Sequence, residues 1–121
     1  MDNVIKQKQF GFSKLKFKII MRILYEYMVS FDLPKYFDEG FTSLIPAQRA
    51  VVNKLMKSGV LTSYAVSLES SKLWVTMIAE TEAEVREIIS GFPIAGKVDY
   101  KISKLAFRNT VNSLVPNFSV N

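Results

Sequence analysis

The chain has no cysteine and no histidine among its 121 residues. The first absence excludes disulfides, thiolate nucleophiles and zinc–thiolate centres. The second removes the usual general base near neutral pH and the commonest transition-metal ligand. There is no Gly-rich phosphate loop, carboxylate metal box or nucleophile elbow, so neither a cofactor nor a metal is implied. Residues 19–33, IIMRILYEYMVSFDL, come nearest to a membrane span, but Arg22 and Glu26 interrupt a run that is already too short. The run also lacks the small-residue cleavage site of a signal peptide. These absences predict a soluble cytoplasmic protein with no membrane partner.

What is present suits one globular domain: 49% hydrophobic and 22% charged residues. The net charge of +5 is unevenly placed, because residues 1–18 hold five lysines against Asp2 alone, while the remainder is close to neutral. That segment is read either as an anion-seeking arm or as a solvated basic extension, and the extension is the reading carried forward. The domain then spans 19–109, and an Asn- and Ser-rich irregular tail fills 110–121.

Alternation over residues 17–29 predicts a first strand. One face holds Tyr25, Tyr27 and Val29; the other holds Arg22, Leu24, Glu26 and Met28. Asp32 and Pro34 end it. A helix follows, with Ser43 expected as N-cap, Pro46 in the first turn and Gly59 at the C-terminal end. Its apolar stripe of Leu44, Ile45, Val51, Val52, Leu55 and Met56 has Gln48 at its centre and Arg49 on its edge. Residues 61–69 and 72–80 form a hairpin through Ser70-Ser71. In TEAEVREIISGFPI (81–94), Thr81 and Glu84 make a capping box, and Gly91 with Pro93 stops a short second helix. A last strand spans 97–107, with Val98, Tyr100 and Ile102 on one face.

The order β-α-β-β-α-β predicts an α+β ferredoxin-like fold, an antiparallel four-stranded sheet with two helices on one face. The uncovered face would carry Leu24, Met28 and one apolar set of the third strand, a pattern that marks an interface. A second copy about a two-fold axis is the simplest cover, so a homodimer or larger homo-oligomer is expected, with Arg22 and Glu26 pairing at the contact.

EAEVREIISGFPIAGKVDYKISKLAF resembles the C-terminal half of the muconolactone isomerase family, through Ser90-Gly91-Phe92-Pro93-Ile94, Val98-Asp99-Tyr100 and Leu105-Ala106. A looser likeness extends back to Asp32-Leu33-Pro34. The resemblance implies a dimeric α+β barrel and a proton shift within a small unsaturated acid or lactone. It places Glu26 at an acidic first-strand position. The chain departs from the family in the apolar SLIP before Gln48 and in Arg108-Asn109, which stand where a histidine typically follows the last strand.

Such a reaction needs a base beside a carbon acid and a group that stabilises enolate-like charge. Glu26 is the candidate base, its pKa raised by apolar neighbours; the alternative role is an ion pair with Arg22. Gln48 must find partners within an apolar stripe, and Arg49 is a ready donor to a carboxylate. A helix–sheet cavity lined by Gln48, Arg49, Tyr25, Tyr27 and Tyr64, with Trp74 as a further wall, would suit a small planar acid or lactone. The alternatives are a satisfied core glutamine, a snorkelling arginine and a packed tryptophan. The third strand, KLWVTMIAE, lacks the signature of RNA-recognition domains, so no nucleic-acid partner is expected. Two functions remain open: an isomerase-like enzyme, or a non-catalytic ligand-binding or assembly protein.

Overall fold

The structure, a computed structural model, describes residues 22–111. The basic segment 1–18, the strand start expected at 17–21 and the tail from residue 112 lie outside the described residues. The elements are β1 (Tyr25–Asp32), α1 (Glu39–Thr42), α2 (Ile45–Lys57), β2 (Leu61–Ser67), β3 (Lys72–Ala79), α3 (Glu82–Ser90), a 3-10 turn (Ala95–Lys97) and β4 (Asp99–Lys104). All strand pairs are antiparallel, in the order β2-β3-β1-β4. This is the ferredoxin-like α+β arrangement, with a one-turn helix added before the first long one.

Strand parity decides what is buried. Tyr27, Val29 and Phe31 of β1 share the helix-facing side with Leu73, Val75, Met77 and Ala79 of β3, and all seven belong to the core. Val52 of α2 and Val85 and Ile89 of α3 close that core from above. β1 ends at Asp32, three residues beyond the expected 29, because its partner β3 runs from Lys72 to Ala79 and pairs along its whole length. Among the described residues, no helix is long and apolar enough to cross a membrane.

Caps explain most helix ends, and one expectation is corrected. Ser43 does not cap α2. Asp38 already starts a helical turn by accepting from Phe41 N at 2.8 Å, so Ser43 sits in helical backbone and its hydroxyl donates to Gly40 O at 2.8 Å. Leu44 takes the N-cap position without a side-chain bond, and Pro46 lies in the first turn as expected. Met56, expected on the buried stripe, is exposed.

At the far end Gly59 adopts φ 81°. Gly59 N donates to Met56 O and Val60 N to Leu55 O, the paired bonds of a Schellman turn that requires left-handed backbone at that residue.

The capping box of α3 is half formed. Thr81 Oγ1 accepts from Glu84 N at 3.1 Å, but the Glu84 carboxylate accepts from Arg22 Nη2 at 2.8 Å. Arg22 also meets Glu80 at 2.7 Å. The expected Arg22–Glu26 pair is therefore replaced by contacts at the start of α3, where two carboxylates draw the guanidinium away.

Candidate functional site

One irregularity in β2 shapes everything around it. Leu61 pairs with Met77 and Ser63 with Thr76, so Thr62 and Ser63 together oppose a single residue of β3. Such a bulge shifts side-chain parity by one. Leu61 and Tyr64 consequently both face the helices, although an uninterrupted strand would put them on opposite sides.

With Tyr64 turned inward, a cavity of about 240 Å³ forms between α2 and the sheet. Its apolar walls are Leu33, Phe37, Phe41, Ile45, Val66, Leu73 and Ile94. Phe37 and Phe41 pack with ring centroids 4.6 Å apart. Three polar side chains join this apolar lining: Gln48, Arg49 and Tyr64. Arg49 is exposed at the edge of the cavity and has no ion-pair partner among the described residues. Burial pushes the Tyr64 phenol above its usual pKa, against smaller opposing effects of a hydrogen-bonding contact from the Gln48 amide and of the Arg49 charge. Tyr64 therefore stays protonated at neutral pH.

Gln48 is only 3% exposed. Its Oε1 accepts from Ile94 N at 3.3 Å, and its Nε2, although near Tyr64, makes no hydrogen bond of good geometry among the described residues. The stop that ends α3 thus has a second use: Phe92 stacks on Phe31 at 5.8 Å, and Ile94 turns a backbone N–H toward α2.

The other residues singled out in the sequence lie elsewhere. Tyr27 is in the core at the opposite end of β1 from the cavity wall Leu33, six residues or roughly 20 Å along an extended chain. Tyr25 is partly exposed, with Lys104 Nζ 3.5 Å from its ring centroid. Trp74 pairs with Ser30 on the open face. Alternation reveals which face a side chain takes but not its height along the strand, and of the three tyrosines only Tyr64 lines the cavity.

Glu26 also occupies the open face, across the sheet from the cavity. Arg108 Nε lies 2.9 Å from both its carboxylate oxygens, and Thr62 donates to it at 2.5 Å. The hydroxyls of Thr62 and Ser63 both contact Thr76 Oγ1, at 2.6 and 2.5 Å. Because an ionised carboxylate only accepts, the direction of this chain is fixed: Ser63 donates to Thr76, Thr76 to Thr62, and Thr62 to Glu26. The Arg108 guanidinium holds the Glu26 pKa below the usual carboxylate value; burial opposes it, and the Thr62 bond adds to it. The raised pKa expected of a catalytic base is thereby corrected: the apolar neighbours are outweighed by an arginine brought in from 82 positions away in sequence.

A lowered folded pKa means that the stability contributed by Glu26 is complete above its unfolded value of about 4.5 and is lost as pH falls through the folded value. Urea midpoints followed from neutral into acid are expected to fall more steeply for the wild type than for Glu26→Gln. Parallel profiles would contradict this linkage.

Among the described residues, no group of acidic side chains could hold a metal ion. No protein-family model matches the chain, and none of the curated proteins is significantly similar to it in sequence.

Proposed function

We propose that the cavity between α2 and the sheet binds a small carboxylic acid with an apolar body, and that the chain binds this ligand without transforming it. The observation that carries the reading is the Arg49 guanidinium, without an ion-pair partner among the described residues, at the edge of an otherwise largely apolar cavity. A guanidinium matches a carboxylate through two parallel N–H donors, while the phenylalanine, leucine and isoleucine walls favour a planar or branched hydrocarbon. At about 240 Å³ the space lies below the ~300–1,000 Å³ of drug-sized sites, so the ligand is small. The resemblance to muconolactone isomerase suggests unsaturated acids and lactones as the first compounds to try. A proton shift in this cavity lacks its expected base, since Glu26 lies across the sheet in an ion pair and, among the described residues, no carboxylate lines the walls.

A thermal-shift and calorimetric screen of benzoates, cinnamates and unsaturated lactone acids tests the reading. Binding to the native state alone raises the melting temperature. Arg49→Ala is expected to weaken any hit by roughly tenfold or more, equivalent to about 1.4 kcal/mol. An unchanged affinity in that variant would remove the carboxylate site.

The open face supports a second reading, self-association as a homodimer. On β1 and β3 its charges are paired within the protomer, Glu26 with Arg108 and Asp32 with Lys72, while Asp99 and Lys101 of the edge strand β4 share the face without an ion pair among the described residues. Met28, Trp74 and Ile78 lie between the two pairs and are not fully buried. A two-fold axis through this apolar strip would set it on its own copy, with the charges of the edge strand β4 to one side. Sedimentation at micromolar concentration is expected to give a dimer that Trp74→Lys dissociates; a wild-type monomer would end this reading.

A further inference from the structure

We propose that Gln48 makes the cavity selective for acids whose buried end carries a hydrogen-bond acceptor, such as a carbonyl, ether or nitro oxygen; this rests on the cavity being the carboxylate site described above. The orientation of the amide is decided by the backbone. Ile94 N–H donates to Oε1 at 3.3 Å, and turning the amide over would set two donors against each other. With Oε1 engaged, Nε2 makes no hydrogen bond of good geometry among the described residues, and its contact with Tyr64 takes at most one of its two N–H groups, so at least one is free on a residue 97% buried and in the cavity wall. A ligand oxygen at this point meets an unpaired donor. An alkyl group or a second donor leaves it unpaired, and a site built to hydrogen-bond its ligand discriminates most strongly against the analogue that cannot reply.

Tyr64, a neighbouring polar wall that remains protonated at neutral pH, adds a hydroxyl donor beside the amide. The buried polar groups of the cavity are therefore weighted toward donors, while Arg49 at the edge serves the acid. The ligand read by these residues has two oxygen functions: the carboxylate at the mouth and a neutral acceptor within. The turn through Phe92 and Ile94 acts as a positioning element, since it alone decides which end of the amide is presented.

The test compares two ligands on the full chain by isothermal titration, para-acetylbenzoate and para-isopropenylbenzoate. They share the carboxylate and the outline, and a C=CH2 replaces the C=O. The wild type is expected to prefer the acetyl compound by roughly tenfold or more. In Gln48→Met the preference is expected to fall to near unity, with the isopropenyl compound retaining its affinity. Equal wild-type affinities would overturn the role of Gln48 while leaving the carboxylate site standing. Binding of neither compound would overturn both. The wild-type comparison decides even if Gln48→Met folds poorly.

Discussion

Phe31→Ala is expected to lower the free energy of unfolding by about 3–5 kcal/mol. Phe31 is fully buried on a central strand, and its ring meets Phe92 at 5.8 Å and Tyr100 at 5.5 Å. Those neighbours come from the turn after α3 and from β4, so the side chain joins three parts of the chain far apart in sequence. Removing it takes away the transfer free energy of a large ring and opens a void lined by two other aromatics. Neither can fill it without leaving its own place. Domains of this size are stable by only about 5–15 kcal/mol, so the variant should approach marginality. Urea unfolding at neutral pH measures the loss, and a change below about 1 kcal/mol would mean that the layer collapses to fill the void.

Thr76→Val is expected to be the next most costly change among those considered, at about 1–3 kcal/mol despite an almost identical shape. Thr76 is 1% exposed, and its hydroxyl both receives from Ser63 and gives to Thr62. Valine would leave one donor and one acceptor without their buried partner, because the bulge holds Thr62 and Ser63 against the same point of β3. Thr76→Ser keeps the hydroxyl and should recover most of the loss, which separates the hydrogen-bond effect from packing. If valine is neutral and serine destabilises, packing of the methyl group outweighs the hydroxyl chain.

Much of the architecture was legible in the sequence because it follows from local periodicity and punctuation. The parity of β1 and β3, the hairpin near Ser70-Ser71, the Thr81 cap and the left-handed Gly59 all depend on residues within a few positions of one another. Gln48 and Arg49 were legible for a similar reason: a helical stripe shows its polar interruption, and both residues line the cavity with Tyr64. The failures share a different cause. Arg22 left Glu26 for Glu80 and Glu84, and Glu26 took Arg108, because long charged side chains choose partners by tertiary proximity that spacing does not encode. Ser43 and Glu84 were kept from their expected capping roles because Asp38, five residues before Ser43, already starts a helical turn, and Arg22, from across the fold, holds the Glu84 carboxylate. The hydroxyl cluster had one faint signal, two polar β-branched or small residues in succession within LTSYAVS, where strict alternation would have called for one.

That doubled position makes the length of β2 as informative as its composition. Deleting either Thr62 or Ser63 would restore regular alternation with one residue left opposite Thr76, keep Leu61, Tyr64 and Val66 all facing the helices, and take away one of the two hydroxyls that meet Thr76. The turn at Leu68–Ser71 lies outside the parity-bearing segment and can lengthen without that consequence. A chain one codon shorter between Leu61 and Tyr64 could therefore keep the same cavity and lose the hydroxyl chain beneath it, whereas a chain of the same length that paired residue for residue with β3 would exchange the inside of the strand for its outside.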